Sequence, residues 1–269
     1  MCMALIPKIC KNENMNVIQT KNGKVVFFDL YQTLIDVELS VNNPNHEIRG
    51  WDVLAKSLHK YGKEISGLEI QKMYAQRRND FYSGNDKKIS HHNLLAITTQ
   101  VLEKDIGLKL TTDEVVALIY EYRRASRGHL RLYPKVFEVL SQLSKKYVLS
   151  TASHTQGCFT QLELRELGIE NFFSYFIYTS DIGFRKESIE FYKYCLKAVG
   201  KEAGDCVTIG DNYDVDMLVP KQLGIKAIWL KNPLTSERYL NLIQERPENV
   251  INLAEFDKLP EVIDKIFNN

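Results

Sequence analysis

Asp29 sits where an apolar run stops. Residues Val25 to Phe28 are β-branched or aromatic without alternation, the pattern of a fully buried strand, and the acid follows at once, with Thr33 four positions on. A carboxylate at the C-terminal end of such a strand lies where open α/β sheets bind ligands. It can act as a nucleophile or a metal ligand; the plain structural alternative is an acid capping a turn. Other polar groups follow the same rule. Ser153 and His154 come at the end of an apolar run, Tyr147 to Ala152, and Lys186 follows another, Tyr175 to Tyr178. The run Cys206 to Ile209 leads into residues 210–216, which carry Asp211, Asp214 and Asp216. If these runs are parallel strands, acids, a hydroxyl and a lysine from distant positions meet at one crevice.

A fifth run, Ile225 to Leu230, and intervening helical patterns closed by Gly168 and Gly200 complete an alternation of strand and helix. That alternation predicts an α/β fold with a doubly wound parallel sheet. Residues 37–132 break it. They contain no strong strand run, but four amphipathic helical stretches, at 48–62, 68–82, 93–107 and 112–126, the last preceded by a Thr111–Glu114 capping-box pattern. The expected organisation is a core of residues 1–36 and 133–269, residues 1–22 being a loose N-terminal extension, with an all-helical insertion at 37–132. Among the hydroxyls Ser150, Thr151 and Ser153, the preceding hydrophobic run and the distance to Gly168 favour Ser153 over Thr151.

Composition narrows the function classes. A net charge of +1 with 26% charged residues gives no electrostatic case for nucleic acid or a membrane surface. The five cysteines, Cys2, Cys10, Cys158, Cys195 and Cys206, are odd in number and include no CxxC pair, which argues for a reducing compartment and against a disulfide frame or zinc site. The segment Met1 to Cys10 is too short, and too interrupted by Pro7 and Lys8, for a signal sequence, so a cytoplasmic protein is expected. Oligomeric state is not legible.

The ordered set Asp29-Leu30-Tyr31-Gln32-Thr33, Ser153, Lys186 and Gly210-Asp211 with Asp216 resembles the four motifs of the haloacid dehalogenase-like hydrolase superfamily, over about residues 24–230. The inserted segment is similar to the helical cap that one subgroup places between motifs one and two. The resemblance implies that Asp29 attacks phosphorus to form an aspartyl-phosphate. It implies Mg²⁺ held by the Asp29 carboxylate, the Tyr31 backbone carbonyl and Asp211, with Asp216 in an outer position. Lys186 would stabilise the oxyanions, Ser153 and Thr33 would donate hydroxyls or position the loop, and the substrate would be a small phosphorylated metabolite.

Tyr31 departs from the phosphatase pattern, which has a second acid there. A phenol, with an ordinary pKa near 10, is a poor general base at neutral pH. The dehalogenases of the superfamily carry a tyrosine at this position and have another where Tyr192 stands, so metal-independent carbon–halogen hydrolysis through an aspartyl ester is the alternative. Retention of Asp211 opposes it, because a buried carboxylate facing Asp29 needs a cation between them. A third reading is a non-catalytic protein that binds a phosphorylated ligand. His154 is a candidate substrate contact or proton carrier, or the cap of the next helix. Arg77 and Arg78, on a helix with Tyr74, Phe81 and Tyr82, are the candidate substrate-binding arginines of the insertion, and Trp51 is expected in its aromatic core.

Overall fold

The computed structural model describes residues 10–11, 23–38, 44–234 and 249–268. Among these residues nine strands are present: β1 Cys10–Lys11, β2 Val25–Phe28, β3 Ile35–Val37, β4 Leu130–Leu132, β5 Val148–Thr151, β6 Tyr175–Phe176, β7 Cys206–Gly210, β8 Lys226–Lys231 and β9 Val250–Asn252. Seven form one sheet in the order β1-β6-β5-β2-β7-β8-β9, parallel throughout except for β1 against β6. The expected doubly wound α/β core is the observed one. Its central strand shows why the first apolar run lacks alternation. Val26 and Phe28 enter one hydrophobic cluster with Leu149 and Ile209, whereas Val25 and Phe27 enter another with Phe191 and Cys206 on the opposite face.

Helices α1 Pro44–Leu58, α2 Gly67–Ser83, α3 Leu94–Gln100 and α4 Thr112–Ser126 fold around a core of their own that includes Trp51, Leu54, Leu58, Ile70 and Leu118. The Thr111–Glu114 capping box is formed, and a second one at Ser66–Glu69 starts α2. Four further helices, α5 Val136–Leu143, α6 Gly157–Glu166, α7 Ile189–Val199 and α8 Leu259–Asn268, cover the sheet. No helix among the described residues is long and apolar enough to cross a membrane.

Four features differ from expectation. β3 and β4 pair as a separate antiparallel ribbon, Ile35 opposite Leu132 and Val37 opposite Leu130, so the expected boundary at 36 falls within a hydrogen-bonded strand and the one at 133 directly follows its partner. Three residues each, with Asp36 and Arg131 interleaved, are too short to signal a strand. The helix expected over 93–107 stops at Gln100 and widens into a π-turn, Val101–Asp105. β9 was not foreseen. Of the extension expected to be loose, Cys10–Lys11 pair with β6, and the rest of 1–22 lies outside the described residues.

Buried ion pairs join the helical part to the sheet part. From α4, Arg123 Nε donates to Glu163 Oε1 of α6 at 2.8 Å, and Arg127, the residue after α4, donates through Nη2 to Oε1 of the more exposed Glu166 at 2.9 Å. The Glu163 side chain is fully buried, and Arg127 is 5% exposed. Removing one partner of such a pair leaves an uncompensated buried charge. Glu163→Ala is therefore expected to lower unfolding free energy by about 3–5 kcal/mol, measured by urea denaturation; a loss under about 1 kcal/mol, typical of surface pairs, would contradict this reading.

Candidate active site

The nucleophile loop is built from the end of β2. Asp29 extends the ladder by one bond, its N–H donating to Ile209 O at 2.9 Å, and Leu34 and Ile35 turn the chain back by donating to Leu30 O. Leu30, Leu34 and Ile35 are buried, anchoring the loop from below. At its tip Gln32 adopts a left-handed φ of 63°. Asn232 holds that conformation by donating to Gln32 O at 2.7 Å, and Tyr133 OH donates to Gln32 Oε1 at 2.8 Å. Neither partner was foreseen.

Sheet register gathers the charged groups. Phe28 lies opposite both Thr151 and Ile209, so Asp29, Ser153 and Asp211 emerge on the same edge at the place where the strand order reverses. Carboxylate oxygens of Asp29, Asp211 and Asp216 lie within 4.8 Å of one another. Lys186 Nζ donates to Asp29 Oδ1 at 3.0 Å and forms an ion pair with Asp216. Thr33 Oγ1 is 3.1 Å from Asp211 Oδ1 and 3.4 Å from Asp29 Oδ2, one proton serving two carboxylates. Asp216 is buried and Asp214 exposed, because a π-turn over Asp214–Leu218 swings the former inward. Gly210 permits the approach: a Cβ there would collide with the Asp216 carboxylate. Trp229 Nε1 donates to Asp211 O at 2.8 Å and fixes that residue's backbone.

Electrostatics follow from three acids around one buried ammonium. Burial acts to lower the Lys186 pKa, yet Asp216 and Asp29 hold it well above its usual range. Burial raises Asp216 to about 6, opposed by Lys186 and reinforced by Asp29. A single lysine leaves the cluster with excess negative charge, and its donors are hard oxygens; both properties suit a divalent cation.

Ser153 and Thr151 are separated by their bonds. Thr151 Oγ1 accepts from Ile177 N–H at 2.8 Å inside the sheet, whereas the buried Ser153 makes no side-chain hydrogen bond among the described residues. Tyr31 donates its hydroxyl to Glu163, and Thr160 Oγ1 lies 3.2 Å away. Burial and then Glu163 push the phenol far above its ordinary pKa. Tyr192 is fully buried and donates to Val215 O at 2.8 Å. Arg77 is occupied by a bidentate bond to Asp105 at 2.6 Å, whereas Arg78 borders a cavity between the helices and α6. Glu163 was missed because it stands in an amphipathic helix with no local sign that Arg123 of α4 and Arg127 just past its end would pair with it.

His154 belongs to a cluster that joins the two parts of the chain. Its ring centroid is 4.7 Å from that of His91, which is 5.3 Å from His92. His91 donates or accepts at Thr179 Oγ1 (2.7 Å), and His92 Nδ1 lies 2.9 Å from Tyr82 OH. The Lys186 segment is stitched alongside, Arg185 N–H donating to Ile89 O at 2.8 Å. Burial, Arg185 and neighbouring imidazoles or Arg78 depress His91 to about 3 and His92 and His154 to about 4.

A carboxylate facing a lysine, flanked by a hydroxyl and two further acids at the C-terminal edge of a doubly wound sheet, is equipped for hydrolysis by covalent attack. The chain belongs to the haloacid dehalogenase-like hydrolases, whose family model matches residues 24–224. It is similar to glyceraldehyde 3-phosphate phosphatase of Methanothermobacter thermautotrophicus, 24% identical over 246 residues that cover 89% of this chain and 99% of that protein. A phosphoglycolate phosphatase of Colwellia psychrerythraea is 24% identical over 214 residues, covering 79% and 86%. In fold it resembles a 2-haloacid dehalogenase from Pseudomonas syringae (TM-score 0.60, 22% identity, covering 90% of this chain and 98% of that one). A HAD phosphatase from Thermococcus onnurineus gives TM-score 0.52 at 20% identity, covering 88% and 97%.

The histidine cluster sets a pH dependence. Unfolded, the three imidazoles titrate near 6.5, above their folded values, so the unfolded chain binds more protons between about 4 and 6.5 and their contribution to stability is lost as pH falls through that window. Asp216, raised from 3.8 to about 6, contributes in the opposite sense, but it is one group against three. Urea midpoints are expected to fall from pH 6.5 to pH 4, with a shallower slope in His92→Gln. A midpoint independent of pH there would refute the assignment.

Proposed function

We propose that this chain is a cytoplasmic, Mg²⁺-dependent phosphatase acting on a small phosphomonoester, with residues 37–132 as a cap over the site. The observation that carries the reading is Asp211 beside Asp29, a second buried carboxylate whose approach to the first calls for a cation between them. The phosphatase names of the relatives agree with it. Mg²⁺ held by Asp29 and Asp211 would screen the nucleophile from the phosphate and orient the phosphoryl group.

The protein's own groups divide the work. Asp29 attacks phosphorus and the organic alkoxide leaves, giving an aspartyl-phosphate that water then cleaves. Lys186 neutralises charge on the phosphoryl oxygens and on Asp29. Thr33 steadies the Asp29 and Asp211 carboxylates, and the Ser153 hydroxyl is available to a phosphoryl oxygen. Asp216 orients Lys186, and Asn212 N–H in turn donates to Asp216 Oδ2 at 3.0 Å. His154 follows Ser153 directly and, kept neutral at pH 7 by burial, is a candidate substrate contact.

Phosphate release should require Mg²⁺, disappear with chelator, and fall by at least about 10³-fold in Asp29→Asn, since a nucleophile is lost. Mg²⁺ should also raise the melting temperature of the wild type and not of Asp211→Asn, as expected for a ligand that binds only the folded state. Metal-independent halide release from a 2-haloacid would sink this reading.

Tyr31 adds a kinetic expectation. A buried phenol bonded to Glu163 can neither protonate a departing alkoxide nor activate water at neutral pH, so with an activated aryl phosphate, whose leaving group needs no proton, hydrolysis of the aspartyl-phosphate is expected to be slower than its formation. Rapid quenching should reveal a burst of aryl alcohol near one equivalent per enzyme and an acid-stable phosphoenzyme. Aryl alcohol and phosphate appearing in step from the first turnover would show that another group does this work.

A further inference from the structure

Gln32 holds a conformation that its side chain does not favour. Its φ of 63° is left-handed, a region where Cβ crowds the backbone and which glycine enters without that cost. Both peptides that flank it are nevertheless fixed. On one side Gln32 N–H donates to Ile35 O at 2.8 Å; on the other, Thr33 N–H donates to Leu30 O at 3.3 Å and Gln32 O accepts from Asn232 Nδ2 at 2.7 Å. Of these bonds, the one from Asn232 alone comes from outside the loop.

Asn232 is itself held for that contact. It follows β8 directly, is 1% exposed, and its amide is oriented by Leu234 N–H, which donates to Asn232 Oδ1 at 3.0 Å. Its Nδ2 also donates to Tyr133 OH at 3.0 Å, and that hydroxyl donates to Gln32 Oε1, so the carbonyl and the side chain of Gln32 are gripped together. The same strand reaches the opposite wall of the site, where Trp229 Nε1 donates to Asp211 O. One end of β8 therefore sets the nucleophile loop and the Asp211 loop relative to each other. Between the two lies Thr33, the residue after Gln32, whose hydroxyl is 3.1 Å from an Asp211 oxygen and 3.4 Å from one of Asp29.

We propose that Asn232 and Tyr133 are positioning residues: by holding Gln32 left-handed they place the Thr33 hydroxyl between Asp29 and Asp211, and so keep those two carboxylates spaced for a divalent cation. The proposal rests on the phosphatase reading above for the identity of that cation, and adds two residues that act through Gln32. A glycine would adopt the same φ unaided but would offer Tyr133 no side chain to bond. With glutamine the conformation depends on its two partners.

Calorimetric titration of Mg²⁺ into the full chain tests this without turnover. Asn232→Leu is expected to weaken Mg²⁺ at least about tenfold, the scale for residues that orient metal ligands. Adding Gln32→Gly to Asn232→Leu is expected to bring affinity back to within about threefold of wild type, a recovery that general structural damage would not show. Tyr133→Phe loses only a hydroxyl at a half-buried position, so it reports even if Asn232→Leu does not fold. It is expected to weaken Mg²⁺ at least about threefold, the scale of one hydrogen bond, and to change the affinity of Gln32→Gly by less than about twofold. Wild-type affinity in either folded variant, or a loss that Gln32→Gly does not recover, overturns the proposal and leaves the phosphatase reading standing; wild type that binds no Mg²⁺ overturns it as well. Mg²⁺ binding that follows this pattern, with no Mg²⁺-dependent phosphate release from 4-nitrophenyl phosphate, refutes the phosphatase reading and supports the positioning roles.

Discussion

Three carboxylates share one buried ammonium, and much of the local architecture exists to make that tolerable. Asp29, Asp211 and Asp216 would repel one another in a dry interior without a cation among them. Lys186, 2% exposed, supplies part of the compensation through direct bonds to Asp29 and Asp216. The geometry this demands propagates outward. A glycine at 210 admits the Asp216 carboxylate, a π-turn rotates that residue inward, and Trp229 pins the Asp211 carbonyl. A tight backbone turn at Gln32 is braced from two other parts of the chain, Tyr133 and Asn232.

The strand ends were legible because a parallel sheet covered on both faces writes uninterrupted apolar runs, and the polar residue that stops each run lies on the crevice side. Asp29, Ser153 and Asp211 were found that way, whereas Lys186, eight residues past its run, was singled out by the resemblance of the ordered motifs. Glu163, Trp229 and Asn232 were not, since their roles come from partners far along the chain, and an acid in an amphipathic helix looks solvated. β3 and β4 carry too few residues for a period to register. Arg77 and Arg78 were paired by adjacency in sequence, but neighbouring helical positions point about 100° apart: one reaches Asp105 and the other the cavity.

Tyr31 stands where the two halves of the molecule meet. Its ring packs against both the sheet core and the helical core, and its hydroxyl belongs to the buried network of Glu163 and Arg123. A residue two positions from the nucleophile is thereby bonded to the same acid as an arginine of α4. Packing changes in the helices have a short route to the Asp29 loop, through one side chain rather than through the sheet.

The β3–β4 ribbon bears on how the two halves can move. Both crossings of the chain between them are hydrogen-bonded to each other, Ile35–Val37 against Leu130–Leu132. Two separate tethers would let the helical part slide and swivel freely; a paired ribbon behaves as a leaf spring, compliant to bending and twisting along its length and stiff to shear across its rungs. A displacement of the helices would on this argument become a rocking near Leu34, whose carbonyl accepts from Tyr133 N–H at 3.0 Å, at the base of the nucleophile loop.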